Sequence, residues 1–297
     1  MPDYPRVLSI QSHVVYGYVG NKSATFPLQL LGFEVDSINS VQLSNHTGYK
    51  VFKGQVLNEK DLDDLTEGLA ANSLDTSYSH LLTGYVGNSL FLKTIEKFVS
   101  SLKTKNPNLI YVCDPVLGDD GELYVPEDLV PIFKNAIIPL ADIITPNQFE
   151  LEILSEIKVD TLEKTLQAID SLHNKGCKTV VMSSATYSDP NTLTTLASHA
   201  DGNSRKRVMI EIPKLKARFT GTGDLFSALF LAWMSKTSDI SAALENTVST
   251  IYAIISKTMQ FYEDAGNDFD PKLLELKLIQ SKEEIENPKV LFKSKTL

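Results

Sequence analysis

The residues with the clearest chemical potential form the tetrad Gly221-Thr222-Gly223-Asp224, which precedes an apolar run from residue 225 to 234. Such a run predicts a buried helix, and a helix start offers unpaired N–H groups and partial positive charge that bind anions. Glycine lets a phosphate approach the backbone closely. A carboxylate beside a bound anion is electrostatically unfavourable unless it takes part in the reaction. The simplest such role for Asp224 is that of general base. The tetrad therefore predicts phosphoryl transfer from a donor to a substrate hydroxyl, with an ordinary capped loop as the alternative.

Composition and charge limit the classes of protein that the chain can be. It has 297 residues, 42% hydrophobic and 22% charged, which suits a globular protein with a large core. We find no linker, repeat or low-complexity stretch, so residues 1–297 are predicted to form a single domain. The 37 acidic and 28 basic residues leave a net charge of -9, which argues against nucleic-acid and anionic-membrane partners.

The cysteines and the termini bear on the compartment. Cys113 and Cys177 lie far apart beside apolar runs, so we expect free, buried thiols, as in a reducing compartment. The first residues do not resemble a signal peptide. No apolar run approaches the ~18 residues that a membrane span requires. The sequence thus predicts a cytoplasmic protein without a membrane segment.

Short β-like runs alternate with helix-like runs along most of the chain. This alternation predicts an α/β fold, with a mostly parallel central sheet and helices on both of its faces. The predicted strands are residues 6–11, 33–41, 79–83, 109–113, 141–145 and 178–183, and the helices between them are residues 23–31, 59–72, 89–105, 127–137 and 161–175. Residues 193–199 and 207–213 predict an antiparallel hairpin at one edge. Further helices are expected over residues 225–234, 240–262 and 272–279.

Polar residues follow the six predicted parallel strands. The carboxyl ends of such strands share one edge of the sheet and form the ligand crevice of open α/β folds. The segments at these ends are Ser12-His13, residues 44–48, Gly84-Tyr85, Asp114-Pro115, Thr145-Pro146-Asn147 and Ser183-Ser184. Any one could be a turn, but together with the tetrad they predict an active-site crevice.

Other familiar motifs are incomplete. Residues 17–23 look like a phosphate loop, but Asn21 stands where a Walker A loop needs the glycine before its lysine. The same residues lack the G-x-G-x-x-G spacing of dinucleotide-binding folds. The histidines and cysteines form no zinc-binding pattern. A P-loop, a dinucleotide site and a zinc site are therefore not expected.

Six segments carry a resemblance to known families. Residues 113–119, 144–150 and 219–224 resemble, in order and spacing, the ribokinase-like superfamily. Residues 8–14, 17–21 and 41–49, the last containing Ser44-Asn45-His46-Thr47-Gly48, look specifically like the pyridoxal kinases. The resemblance implies a ribokinase-like fold and ATP-dependent phosphorylation of pyridoxal, pyridoxine and pyridoxamine on the 5′-hydroxyl. It also implies Mg²⁺, a monovalent cation such as K⁺, and a homodimer.

The resemblance assigns roles to individual positions. Asp224 matches the catalytic base, and Gly221, Thr222 and Gly223 form the anion hole around the transferred group. Substrate contacts are implied for Ser12, Val19, Thr47, Tyr85 and Asp224. Nucleotide contacts are implied for Asp114, Asn147, Ser183, Ser184, Leu215, Lys216, Ala217, Thr222 and Gly223. Metal contacts are implied for Asp114 and Asp119 with Mg²⁺, and for Thr145 and Glu150 with the monovalent cation.

Several alternatives stay open. A kinase of hydroxymethylpyrimidine would act on a similar aromatic alcohol, and a non-catalytic carrier of vitamin B6 would bind the same ligands. Asp114 could merely end a strand, Glu150 could be a helix-dipole partner, and His46 is expected to be structural. Residues 117–124 resemble an active-site flap of compact form. Arg218, close to the tetrad, has no assigned role.

Overall fold

The structure, a computed structural model, describes residues 4–202, 204–215, 217–266 and 270–297. Its strands are β1 Arg6–Val14, β2 Glu34–Leu43, β3 Gly54–Val56, β4 His80–Thr83, β5 Ile110–Cys113, β6 Gly118–Asp119, β7 Glu122–Leu123, β8 Ile143–Ile144, β9 Thr179–Ala185, β10 Thr192–Asp201, β11 Ser204–Pro213 and β12 Lys295–Thr296. Its α-helices are α1 Asn21–Leu30, α2 Glu59–Ala71, α3 Ser89–Lys105, α4 Leu129–Ile132, α5 Gln148–Ser155, α6 Leu162–His173, α7 Thr222–Thr237, α8 Ile240–Asp264 and α9 Lys282–Glu286.

Within these described residues, ten strands form one sheet in the order β12-β11-β10-β9-β8-β5-β4-β1-β2-β3. The six strands from β9 to β2 are parallel, while β3 and the β10–β11–β12 group pair antiparallel. The predicted parallel sheet and edge hairpin are thus confirmed. The two short strands β6 and β7 form a separate hairpin, which we call the flap.

Helices cover both faces of the sheet. Successive residues of a strand point to opposite faces, so Leu81 packs into the cluster under α3, α5 and α6, while Leu82 packs into the cluster under α1, α7 and α8. This double burial explains why the central strands read as continuous apolar runs. The layered arrangement agrees with the predicted α/β class.

Helix α7 is the buried helix that follows the tetrad. Every side chain from Leu225 to Ala232 is buried, as the apolar run predicts. In the part of the chain that the structure describes, no helix is both long enough and apolar enough to cross a membrane. Cys113 and Cys177 are free and buried, as expected.

The predicted helix over residues 272–279 is wrong. Two short 3₁₀ turns, Pro271–Leu274 and Ile279–Ser281, are joined instead by an extended link. Leu276 and Leu278 in this link are both fully buried. Both side chains pack into the cluster under α1, α7 and α8, and that tertiary contact overrides the helical propensity of the segment.

The predicted helix over residues 127–137 forms only in part. The described chain makes one α-turn, α4, then a π-helical turn over Phe133–Ile137 and a 3₁₀ turn over Ile138–Leu140. Buried Phe133, Ile137 and Ile138 anchor these turns in the core.

Candidate active site

The N-terminus of α7 is the centre of the candidate site. Gly221 immediately precedes it with φ 83°, and a Cβ there would lie 2.0 Å from the carbonyl oxygen of Tyr18. Only glycine fits such a conformation and such a contact. The hydroxyl of Ser23 in α1 donates to the carbonyl oxygen of Gly221 at 3.0 Å. The loop is therefore held rigidly, and the first-turn N–H groups of α7 lack intrahelical acceptors and can bind an anion.

Asp224 stands in that first turn. Its Oδ2 accepts a hydrogen bond from the backbone N–H of Gly20 at 2.7 Å. Burial raises the pKa of Asp224 to about 6, and the hydrogen bond from Gly20 opposes part of that rise. A carboxylate with this pKa is ionised at neutral pH yet more basic than an exposed aspartate, which suits a general base.

Three predicted substrate residues lie around this turn. A Cβ on Gly20 would be 2.4 Å from Ser12 Oγ, so Ser12 at the end of β1 lies against the amide that binds Asp224. Val19 is buried, and its Cα lies 3.3 Å from the Cβ position of Gly221. Thr47 is exposed beside Gly48, whose Cβ position is 3.9 Å from Thr220 Oγ1.

Tyr85 follows β4, the strand next to β1. Its ring is partly buried, and its carbonyl oxygen accepts a bond from Ser40 Oγ at 2.7 Å. Gly84 donates its N–H to Ile10 in β1 at 3.1 Å, which keeps the two strand ends together. The predicted substrate residues therefore share one end of the sheet.

A cleft of about 610 Å³ opens at the N-terminus of α7, where Thr222 and Gly223 line it. Of the predicted nucleotide and metal residues, it is lined by Asp119, Ser183, Ser184, Leu215, Ala217, Thr222 and Gly223. Lys216 lies outside the described residues. The sequence prediction missed the apolar lining from Phe226 of α7 and from Val248, Ile251 and Ile255 of α8. The i, i+3, i+7 spacing on α8 was the available signal, but it cannot tell a cleft wall from a core face.

Asp114 and Thr145 lie beneath the same helix start. Asp114 is buried at the end of β5, and its Oδ2 is 3.7 Å from the Cβ position of Gly223. Burial raises the pKa of Asp114 well above its usual range, and the charges of Glu150 and Asp224 add to that rise. Thr145 Oγ1 and Ser227 Oγ are 2.8 Å apart, and both hydroxyls bond to Asp114. Asp114 therefore contacts the start of α7, and its nucleotide and metal roles stay predictions.

Ser227 was missed by the sequence prediction. It is a buried polar residue within the apolar run of α7, and its hydroxyl also lies 3.0 Å from the carbonyl oxygen of Gly223, to which it can donate. A hydroxyl inside an otherwise apolar helix was the signal that could have found it.

Asn147 and Glu150 join α5 to the flap. They form a capping box, in which Asn147 Oδ1 accepts from Glu150 N–H and Glu150 Oε2 accepts from Asn147 N–H. Glu150 Oε1 also accepts from Leu117 N–H at 2.9 Å, and Asn147 Nδ2 donates to Gly118 O at 2.7 Å. Burial raises the pKa of Glu150 to about 8, although these backbone hydrogen bonds lower it. The helix-start role of Glu150 is therefore present, and its cation role stays a prediction.

Arg218 contacts the flap region, and we call its contacts with Tyr124 and Asp120 the Arg218 latch. The turn of the hairpin has positive φ at Asp120 and Gly121. Arg218 donates to the hydroxyl of Tyr124 at 2.9 Å and lies 3.6 Å from the carboxylate of Asp120. Arg218 thus joins the flap region to the segment that immediately precedes the tetrad. The sequence did not predict this contact.

The described residues contain no cluster of three or more histidine, cysteine and acidic side chains arranged to hold a metal ion. Asp119 lines the cleft, whereas Asp114 is not among the lining residues and lies beneath the start of α7. Magnesium often binds through one or two carboxylates together with substrate phosphates, so the predicted metal residues keep that role as a prediction.

Comparison with known proteins identifies the family. The family model described as phosphomethylpyrimidine kinase matches residues 36–267. A pyridoxal kinase of Arabidopsis thaliana is 51% identical to this chain, over 98% of the chain and 94% of the plant protein. The Homo sapiens pyridoxal kinase is 47% identical over the full length of both. The chain belongs to the pyridoxal kinase family.

Solved structures of the pyridoxal kinase family have the same fold. The Leishmania donovani pyridoxal kinase in complex with ADP and pyridoxamine superposes with a TM-score of 0.93. It is 36% identical, and the match covers 98% of this chain and 99% of the parasite chain. The mostly parallel sheet and antiparallel edges found here are therefore the architecture of this ribokinase-like family.

Proposed function

We propose that this protein transfers the γ-phosphoryl group of ATP to the 5′-hydroxyl of pyridoxal, pyridoxine and pyridoxamine. Its relatives are named pyridoxal kinases, and the Leishmania enzyme has been solved with ADP together with pyridoxamine or pyridoxine. The observation that carries the proposal is the position of Asp224. It stands in the first turn of α7, where Thr222 and Gly223 line the 610 Å³ cleft and Asp224 itself binds the N–H of Gly20 beside Ser12.

Asp224 would act as the general base. Its carboxylate takes the proton of the 5′-hydroxyl, and the oxygen attacks the γ-phosphorus as the bond to the leaving ADP breaks. The first-turn N–H groups of residues 221–223 hold the oxygens of the transferred group, where each such donor is worth ~3 kcal/mol. No Walker lysine is needed, because phosphoryl transfer depends mainly on positioning and charge neutralisation.

Cations fit the acidic residues around the cleft. Asp114 and Asp119 would hold Mg²⁺, while Thr145 and Glu150 would hold K⁺. Burial and mutual repulsion raise the pKa of Asp114, so nearby positive charge would be favoured there. When bound, the cations supply neutralisation of phosphate charge. Activity should require Mg²⁺ and rise with K⁺, and indifference to K⁺ would remove Thr145 and Glu150 from their proposed role.

The central test is an ATP-dependent assay with pyridoxal that detects pyridoxal 5′-phosphate. The second candidate is hydroxymethylpyrimidine phosphorylation, because the family model that matches residues 36–267 is described as a kinase of a related pyrimidine, phosphomethylpyrimidine. Both substrates should be compared side by side in the same assay. A higher kcat/KM for the pyrimidine would overturn the vitamin B6 assignment.

We also propose that the protein works as a cytoplasmic homodimer. Light scattering of the purified protein measures its mass in solution, and a fluorescent fusion reports its location. A non-catalytic carrier of vitamin B6, the alternative to an enzyme, is disfavoured because the similar proteins are named as kinases. It would bind pyridoxal and produce no phosphate ester, so the same product assay separates the two.

A further inference from the structure

Glu275 is buried beside the substrate side of the site, yet it belongs to the extended link near the C-terminus. Only 7% of the residue is exposed. Its carboxylate receives hydrogen bonds from Tyr18 N–H at 2.9 Å and from the Tyr49 hydroxyl at 2.8 Å. His46 Nε2 lies 3.4 Å from the same Oε1 that binds Tyr49. We call Glu275 and these three residues the Glu275 cluster.

The donors of the Glu275 cluster are well defined. Gly48 donates its N–H to His46 Nδ1 at 3.1 Å, so the neutral imidazole carries its hydrogen on Nε2 and points it at Glu275. The His46 and Tyr49 rings pack edge to face with their centroids 4.8 Å apart. Burial alone would raise the pKa of Glu275, but the hydrogen bonds from His46, Tyr49 and Tyr18 bring it below its usual value. The cluster therefore stabilises an ionised carboxylate.

One branch of the cluster leads to the catalytic base. Glu275 binds the N–H of Tyr18, and Asp224 binds the N–H of Gly20. The segment 18–20, with Val19 at its middle, is thus fixed at each end by a carboxylate. Gly17 has φ 90°, and a Cβ there would be 2.2 Å from Glu275 Oε1, so the carboxylate fills the space that a side chain would need.

The other branch leads to the second substrate loop. His46 and Tyr49 are both held by Glu275, and they flank Thr47 and Gly48. Gly48 in turn approaches Thr220, next to the tetrad. One carboxylate thus fixes both loops that carry proposed substrate contacts, while the residues that line the nucleotide cleft are not in the cluster.

We infer that Glu275 is a positioning residue for the vitamin side of the active site, setting the distance between the segments 18–20 and 46–49. This inference rests on the proposed function. Removing the carboxylate leaves three donors without their acceptor and frees both loops. The loss should weaken pyridoxal binding and leave ATP binding unchanged.

Steady-state kinetics of E275A, E275Q and Y49F test the inference. E275A should raise KM for pyridoxal at least ~10-fold, as expected when bonds to a buried charge are lost. KM for ATP should stay within about 2-fold. Glutamine cannot accept all three bonds without turning its amide toward a donor, so E275Q should show an intermediate effect, and Y49F the smallest. An unchanged KM for pyridoxal in folded E275A, or equal rises in both KM values, overturns the inference.

Glu284→Ala is the matched control. Glu284 is a partly buried carboxylate in the same C-terminal part of the chain, bonded to Lys257 at 2.7 Å, and it belongs neither to the cleft lining nor to the Glu275 cluster. Its variant should keep both KM values even if its melting temperature falls. If E275A does not fold, E275Q and Y49F carry the test by the same split between the two KM values.

A readout without catalysis separates this inference from the proposed function. In the ligand-free protein, hydrogen–deuterium exchange at residues 15–20 and 44–50 should accelerate in E275Q and not in E284A. Unchanged exchange in E275Q overturns the inference whether or not the wild type phosphorylates pyridoxal. A wild type without kinase activity, with the exchange increase present, contradicts only the proposed function.

Discussion

At the scale of single residues, the candidate site consists of partly or fully buried carboxylates in different settings. Asp224 accepts one backbone N–H and faces the substrate side. Glu150 accepts several backbone N–H groups at the base of the flap. Asp114 is bonded to the hydroxyls of Thr145 and Ser227, and its pKa is raised further by the charges of Glu150 and Asp224. Because these settings differ, the three carboxylates are suited to different tasks, and Asp224 is the one suited to proton transfer.

Replacing Asp224 with asparagine should slow turnover and leave binding intact. The amide keeps the size and the acceptor for Gly20 but cannot take a proton, so kcat should fall at least ~100-fold. Steady-state kinetics give kcat, and calorimetry gives the affinities for pyridoxal and ATP. Asp64→Asn, on the exposed face of α2, is the control. A near-normal kcat in D224N would remove Asp224 from the role of base.

The pKa of Asp224 predicts the acid side of the pH profile. The pKa is raised to about 6, and only the ionised carboxylate can act as a base. The value of kcat/KM should therefore rise with pH up to about 6 and level off above it. Profiles measured with pyridoxal and with pyridoxine should level off at the same pH, because the titrating group is Asp224 of the enzyme and not a group of the substrate. A profile that is flat from pH 5 to 7 would contradict the assignment.

At the scale of elements, the flap and the start of α7 meet through exposed polar contacts. Arg218 and Tyr124 supply the hydrogen bond, and Asp120 supplies an exposed ion pair. Exposed pairs contribute little to stability, but a closed flap excludes water from a transferring phosphoryl group. The latch should therefore affect nucleotide handling more than folding.

A double-mutant cycle tests the latch. R218A and Y124F should each raise KM for ATP by up to ~5-fold, the size of one exposed polar interaction. The double variant should resemble R218A, because R218A already removes the bond to Tyr124 together with the ion pair to Asp120. Melting temperatures should stay close to wild type, and Lys60→Ala controls for the lost positive charge. Strict additivity of the two effects would show that Arg218 and Tyr124 act separately.

At the scale of the whole molecule, the C-terminal part of the chain makes two separate sets of contacts, one with the proposed substrate loops and one with the edge of the sheet. The link that contains Glu275 reaches the substrate loops, whereas the last residues close the far edge of the sheet. There β12 pairs with β11, Ser294 bonds to Glu245 at 2.9 Å, and Phe292 packs edge to face on Tyr252. The end of the chain should therefore support stability and not substrate binding.

Truncation after residue 286 tests this division. It removes several hydrogen bonds and one aromatic pair, so the free energy of unfolding should fall by ~2–5 kcal/mol. Both KM values should remain at their wild-type levels at temperatures where the variant is folded. Chemical denaturation measures the stability, and removal of residue 297 alone is the milder control. A selective rise in KM for pyridoxal would contradict the division.

Local patterns in the sequence were sufficient to predict the architecture and the glycine-rich start of α7. Apolar runs with regular alternation predicted the parallel sheet, the edge hairpin and α3 with its observed bounds, because burial on both faces leaves a local pattern. Two glycines around a hydroxyl residue, followed by Asp224, marked the helix start because strained loops and anion sites need those residue types. Local chemistry was sufficient for these features.

Contacts between distant parts of the chain could be read only from the folded structure. The burial of Ser227 against Asp114, the Arg218 latch and the Glu275 cluster join residues that are far apart in sequence, and no local periodicity encodes such pairs. The extended link at residues 275–278 has the same cause, since its form is set by the helices on which Leu276 and Leu278 pack. Short-range propensity governs where elements begin, whereas packing and buried hydrogen bonds govern which side chains meet.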